Sequence, residues 1–326
     1  MAGVLDRIAA FLAGGARGPD APASFHSRFG GLWVDRLDAK DVLREKARKD
    51  PRIAKLREAL AFFIDNGYVI LDKAVDPRAV DRYLAEFEAA TAPGGALLAS
   101  VRVMGPQDKA VVPLAEADLA APLTKVLDTY AHLAAARELI FAPAIEEFLR
   151  AIFEEGVIAF QGLHFETGST QAVHQDTAYV VCEEPMKLCA SWIALQDVVE
   201  GCGELIYYAG SHRLPDWIYS GQFKHYYHER DSHDEHMAHV RSLHERSKER
   251  GFPLRSFLPR KGDALIWAAD LAHGGAPIRD PSLKRRSLVT HYTAESTAPL
   301  YFRSIPAEKR IRGTVRPGCS YSTMYY

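Results

Sequence analysis

His174-Gln175-Asp176 sets an imidazole and a carboxylate two residues apart within Val173–Cys182, a run that reads as a strand. Side chains alternate along a strand, so residues i and i+2 project from one face and present a nitrogen and a hard oxygen donor together. A redox-active iron needs such a pair plus one further nitrogen on a single face of an octahedron, with three positions left open. His273 is the best third donor. Gly262-Asp263-Ala264-Leu265-Ile266-Trp267 reads as a turn and strand leading to Leu271-Ala272-His273-Gly274-Gly275, and the glycines let backbone pass close to a metal.

Just beyond, Lys284-Arg285-Arg286 opens the strand-like run that continues through Ser287 to Tyr292. A buried dicarboxylate needs a fixed cation, and arginine suits it because its planar fork grips a carboxylate bidentately and stays ionised. On an extended strand Arg285 shares a face with Ser287, whose hydroxyl can donate to the same carboxylate, while Arg286 points the other way. Arg285 is therefore the anchor chosen here. The plainer alternative is that all three cations form a solvated turn.

These residues need elements to position them. Ile53, Leu56, Leu60 and Phe63 recur at helical spacing, and Asn66-Gly67 supplies a left-handed stop before a strand at 68–71. A second helix is predicted from Pro77 to Ala90, followed by helices over 122–141 and 143–154 separated at Pro143. The front half thus reads as mainly helical. After Gly156 the period changes to about 2 in the runs 157–166, 173–182, 188–196, 205–208, 263–268 and 286–292. Short strands without regular helices between them suggest a sandwich or barrel and disfavour a doubly wound α/β sheet. Residues 213–250 break the pattern: charged, partly aromatic and rich in histidine, they read as a helical insertion between strands. Long connections of this kind tend to be lids or binding elements.

The 326 residues can bury a sizeable core, divided here into an N-terminal arm over 1–50 and one large domain over 51–326. With 48% hydrophobic and 25% charged residues the composition is that of a globular chain, and a net charge of −2 lacks the basic excess that nucleic acid demands. No stretch approaches the roughly 20 apolar residues of a membrane span. Residues 1–18 resemble a signal peptide only superficially: Asp6 and Arg7 interrupt the apolar run, and Val4, Leu5, Ile8, Phe11 and Leu12 recur as on a short amphipathic helix. Residues 15–30, rich in Gly, Pro, Ala and Ser, read as a linker or surface arm. The four cysteines form no C-x-x-C pair or zinc spacing, which fits a reducing cytoplasm and core packing.

In this order and spacing the motifs resemble the phytanoyl-CoA dioxygenase family of Fe(II)/2-oxoglutarate oxygenases. The resemblance rests on His174-Gln175-Asp176 followed by Tyr179, the run from Ser191 to Asp197, and Gly203-Glu204-Leu205 leading to Gly210-Ser211-His212. Gly262-Asp263, His273-Gly274, the run from Arg285 to Tyr292, and Asn66-Gly67-Tyr68-Val69 complete it, covering roughly residues 60–326. Two departures stand out: Ala209 occupies a position where the family has proline, and 213–250 is longer than in the simplest members.

The resemblance implies an α+β fold whose core is a double-stranded β-helix (a cupin-like jelly roll), with helices buttressing the outside and iron held in one mouth by His174, Asp176 and His273. It also implies 2-oxoglutarate and O2 as co-substrates, with succinate and CO2 released as a small-molecule C–H bond is hydroxylated. Related halogenases leave the carboxylate position to a small residue, so the presence of Asp176 favours hydroxylation. By family position Gln175, Tyr179 and Trp192 are candidates for the co-substrate wall, as is Gln161 on the preceding strand. His225, His228, His233, His236, His239 and His244 include i, i+3 pairs that could bind zinc, but no Cys or H-E-x-x-H accompanies them. A solvated lid that reads a polar or anionic substrate is the preferred reading of that segment. Two rivals remain in view: a cupin-like metalloenzyme that does not use 2-oxoglutarate, and a catalytically silent ligand-binding module. Arg285 and Ser287 argue against the first, and the complete ligand set against the second.

Overall fold

A computed structural model describes residues 24–91, 97–102, 109–119, 121, 124–304 and 307–323. The amphipathic helix expected within 1–18, and most of the linker expected at 15–30, lie outside them.

Three helices open the described chain: α1 (Ala39–Lys49), α2 (Pro51–Lys55) and α3 (Arg57–Asn66). The single helix predicted through Ile53–Phe63 is thus broken at Leu56, and α1 was not anticipated. Gly67, at φ 76°, ends α3 in the left-handed region and turns the chain into strand β1 (Tyr68–Leu71). The Asp76 side chain accepts a hydrogen bond from the Arg78 N–H, and Pro77 occupies the first turn of α4 (Pro77–Ala90), as the sequence predicts.

The next stretch departs from expectation. Strands β2 (Leu98–Arg102), β3 (Lys109–Pro113) and β4 (Lys125–Leu127) precede the short helix α5 (Ala134–Ile140), where one long helix was expected over 122–141. Asp128 explains the break: in the left-handed region at φ 45°, its carboxylate accepts the Gly162 N–H at 2.7 Å and fastens the chain to a strand edge. Helix α6 (Pro143–Phe153) then leads into β5 (Val157–Phe165).

The remaining strands are β6 (Leu188–Ala194), β7 (Leu205–Tyr208), β8 (Leu254–Phe257), β9 (Ala264–Ala268), β10 (His273–Gly275), β11 (Ser287–Ala294), β12 (Arg312–Arg316) and β13 (Cys319–Ser322). A ten-stranded sheet runs β1-β9-β6-β11-β5-β4-β2-β3, with β13 joining β5 and pairing β12. A second sheet has the order β10-β7-β8. Helix α7 (His233–Glu249) fills much of the insertion between β7 and β8.

Pairing register determines what each face of the large sheet buries. Leu288 and Tyr292 of β11, Cys189 and Ile193 of β6, and Ala264 and Ile266 of β9 join one core with the helices, including Leu60, Phe63, Tyr83 and Phe148. Alternate residues, Trp192, Leu265, Trp267 and Val289, pack instead with Leu205, Tyr207 and Phe257 of the smaller sheet. The helices therefore cover the outside of a mixed α+β fold, and the interior between the sheets belongs to odd-numbered positions of β11 and β9 and even-numbered positions of β6. No helix of the described residues is long and apolar enough to cross a membrane.

Candidate metal centre

His174 and His273 are joined before any ligand enters. Their backbones form an isolated antiparallel bridge, each N–H donating to the other's carbonyl at 2.9 Å. The expected strand over 173–182 does not continue beyond this bridge. Gln175 is extended, but Asp176–Ala178 turns into a 3-10 helix, so the carboxylate is delivered by a turn.

The His174 Nδ1–H donates to the Ala172 carbonyl and the His273 Nδ1–H to the Leu271 carbonyl, both at 2.9 Å. Since carbonyls only accept, each Nε2 is left to carry a lone pair toward the site. Each Nε2 lies 3.6 Å from Asp176 Oδ1, and one donor atom from each of the three residues falls within 4.8 Å of the others. Burial pushes the His273 imidazole down to about 4 despite nearby Asp176, keeping it neutral. Burial raises the Asp176 carboxyl, but the His273 and His291 imidazoles, with help from His174, outweigh it and hold it well below the usual range. Two imidazoles and one carboxylate, all buried, can hold a divalent metal ion on one face.

Three neighbours of this set were not anticipated. The Trp267 indole N–H donates to Asp176 Oδ2 at 2.7 Å, and His291 Nε2 lies 3.4 Å from the same oxygen. His291 shares the inner face of β11 with Ser287, a parity visible in the sequence; nothing there signalled Trp267. The Gln171 amide lies 3.2 Å from His174 Nε2, the atom a metal would take.

Arg285 is 2% exposed, donates from Nη1 to the Gly203 carbonyl at 3.0 Å, and keeps its guanidinium carbon 5.4 and 5.5 Å from the Phe165 and Trp192 rings. Its Nε has no hydrogen-bond partner, and neither does the fully buried Ser287 Oγ. Burial lowers the guanidinium to about 10, which still leaves it charged at neutral pH. Among the described residues no carboxylate pairs with it. The buried Glu204 carboxylate favours its charge without pairing with it, and a buried cation with no direct ion partner is disfavoured, so this cradle fits an anion supplied from outside. Arg286 faces the opposite way, where its Nε donates to Glu166 at 3.0 Å.

The other expected residues fall in different places. Trp192 lies on the inner face beside Arg285, and Gln161 lies opposite His291 in the β5–β11 register. The Gln175 amide donates to the Asp270 carbonyl at 2.7 Å, fastening the two ligand-bearing turns together. Tyr179 stands edge-on to His174 with centroids 5.6 Å apart, and its hydroxyl pairs with His236 Nε2 at 3.0 Å. The insertion is less solvated than expected: His225, His236 and His239 are all buried, and neither they nor His228, His233 and His244 contribute to a metal-ligand cluster found among the described residues.

No protein of curated function matches the chain in sequence. Solved structures share its fold. The α-ketoglutarate-dependent epimerase SnoN of nogalamycin biosynthesis, solved with Fe3+, α-ketoglutarate and nogalamycin RO, is 21% identical over 77% of this chain and 87% of its own, with a TM-score of 0.56. The carbocyclase SnoK from the same biosynthesis is 18% identical over 74% of this chain and 85% of its own, at 0.53. EctD from S. alaskensis, solved with 2-oxoglutarate and 5-hydroxyectoine, is 17% identical over 74% and 76%, at 0.51. The family description "Phytanoyl-CoA dioxygenase (PhyH)" matches residues 63–287. That span takes in both histidines, Asp176, Arg285 and most strands of the two sheets, and on it the chain belongs to the phytanoyl-CoA dioxygenase family.

Proposed function

We propose that this chain is an Fe(II)- and 2-oxoglutarate-dependent oxygenase that hydroxylates a C–H bond of a small polar or anionic molecule. The observation that carries the reading is Arg285: a buried guanidinium that no carboxylate pairs with among the described residues, two positions before the partnerless Ser287 hydroxyl that opens the strand whose inner face also carries His291 toward Asp176. A metalloenzyme with no dicarboxylate to bind has no use for that cradle. The two facing sheets are read as the walls of a double-stranded β-helix, with the metal at one mouth.

His174, Asp176 and His273 would hold iron, and Arg285 with Ser287 would grip the distal carboxylate of 2-oxoglutarate. When bound, the pair would activate O2 as the four-electron oxidant, with two electrons coming from 2-oxoglutarate as it becomes succinate and CO2 and two from the C–H bond, so that one oxygen atom enters succinate and the other the new hydroxyl. The chain's own residues position and exclude. The bonds from Nδ1 to carbonyls fix both imidazoles, Trp267 fixes the carboxylate, and Phe165 and Trp192 keep water from the guanidinium. An open groove of about 540 Å³ lined by Thr170, Gly275, Pro277, Ile278 and Pro281 begins two residues after His273 along the chain. The solved relatives include an epimerase and a carbocyclase as well as EctD, so family membership alone does not choose hydroxylation. Asp176 in the carboxylate position supports it over halogenation.

Protein purified anaerobically and given Fe(II), 2-oxoglutarate and O2 should release succinate above background. Asp176→Ala should abolish metal binding and turnover together, whereas Arg285→Ala should chiefly raise the 2-oxoglutarate requirement. No succinate with broad substrate mixtures, or the reverse pattern in the two variants, sinks the reading.

A further inference from the structure

Lys224 lies in the insertion, far in sequence from every candidate ligand, yet its side chain is 2% exposed and sits between two carboxylates. Its ammonium is 2.6 Å from Asp216 Oδ1 and 2.5 Å from Asp270 Oδ2. Asp270 is the junction. Its other carboxylate oxygen accepts the Thr177 hydroxyl at 2.6 Å, and its carbonyl accepts the Gln175 amide at 2.7 Å. Asp270 therefore grips the residues on both sides of Asp176 while standing on the turn that leads into His273. Asp216, at the other end, accepts the Ser27 hydroxyl at 3.1 Å and the Arg28 N–H at 2.9 Å. One ammonium thus ties the N-terminal arm and the insertion to both ligand-bearing turns.

We propose that Lys224 is a positioning residue through which docking of residues 216–231 and occupation of the metal site favour each other. The inference rests on the reading that His174, Asp176 and His273 hold a metal. Without the ammonium, Asp270 would be a buried carboxylate in repulsion with the partly buried Asp216, and its carboxylate would be pushed from its place against the Thr177 hydroxyl, while the backbone bond to Gln175 would move only with the turn. Coupling of this kind is reciprocal: whatever fixes the turns holds the insertion down, and whatever holds the insertion down sharpens the metal site. Outer partners of metal ligands typically change metal affinity by about 10–100-fold when removed.

The test is an anaerobic Co(II) titration of the full chain, with amide hydrogen exchange of peptides spanning 216–231 followed in the same samples. In the parent chain Co(II) should slow exchange in that segment. Thr177→Val removes only the hydroxyl link to Asp270 and leaves the Tyr226 N–H on the Ala178 carbonyl; it should weaken Co(II) about 10–100-fold and reduce the slowing, and Thr177→Ser should restore both. Lys224→Met should do the same from the far end of the link; should that protein not fold, the Thr177 pair decides alone. Co(II) affinity within about twofold of the parent in Thr177→Val, or unchanged slowing of exchange, overturns the coupling while the metal reading stands. A parent chain that binds no Co(II) overturns the metal reading and the coupling with it.

Discussion

Trp267 donates its indole N–H to Asp176 Oδ2 over 2.7 Å, leaving Oδ1 as the oxygen that faces both His174 and His273. The indole thus sets which oxygen would meet a metal. Trp267→Phe keeps an aromatic ring between the sheets, with a small cavity where the indole was, and frees Oδ2 so that the carboxylate can rotate. Metal affinity should fall by about 10–100-fold with little loss of folded protein. Co(II) titration checks this, and an affinity within about twofold of the parent would show that the indole only packs.

Arg285 and Arg286 offer a sharper contrast because they are neighbours in sequence with opposite surroundings. Arg285→Gln removes the buried cation and should raise the 2-oxoglutarate requirement by two orders of magnitude or more, since a desolvated carboxylate–guanidinium pair is at stake, on the order of 3–5 kcal/mol. Arg286→Gln loses the partly exposed ion pair with Glu166, for about 1 kcal/mol of stability, and should leave the requirement unchanged. Titrating 2-oxoglutarate against succinate release in both variants measures the difference; equal effects would remove Arg285 from its assigned place.

Much of this arrangement was legible in the chain itself, for reasons particular to each element. Helix Pro77–Ala90 carried its own cap and first-turn proline, and Ser287 was placed beside Arg285 by strand parity alone. The same parity, carried four residues further, points to His291. The turn after His174 was not legible, because Thr177, Tyr179 and Val180 are good strand residues and the partners that hold them in a turn, Asp270 and the Tyr226 N–H, are distant in sequence. The long helix expected over 122–141 failed in the same manner, through Asp128 and its bond to Gly162. The insertion looked solvated because charge was counted without its partners: Lys224 and Asp270 are buried together, yet they stand 46 residues apart in sequence.

All four cysteines are free and buried, and burial raises each thiol: Cys182 to about 12, Cys319 to about 11, with Cys189 and Cys202 also above their ordinary value. An exposed thiolate is what attacks a disulfide reagent, and none of these cysteines supplies one near neutral pH. The native protein should therefore react with a disulfide reagent far more slowly than the unfolded chain, which should titrate four thiols at once. A rapidly reacting thiol in the native protein would place at least one cysteine at the surface.

Acid should loosen the insertion before it protonates most carboxylates. Burial pushes His225 and His236 down to about 4 and His239 to about 3. In the unfolded chain each would titrate near about 6.5. Below that pH the unfolded chain binds more protons than the folded one, so stability falls as pH is lowered from about 6.5 toward 4, by up to about 1.4 kcal/mol per pH unit for each histidine. Asp35 works the other way: burial lifts its carboxyl to about 7, so its contribution is greatest in acid and is lost as pH rises through 7. It offsets about one histidine's worth of slope. Urea unfolding of metal-free protein at pH 7, 6 and 5 should show stability declining at each step, and His239→Gln should flatten the decline, because the histidine that stacks on Trp217 no longer has a proton to gain on unfolding. A profile level from pH 7 to 5 would mean that these imidazoles are already charged or solvated in the folded chain.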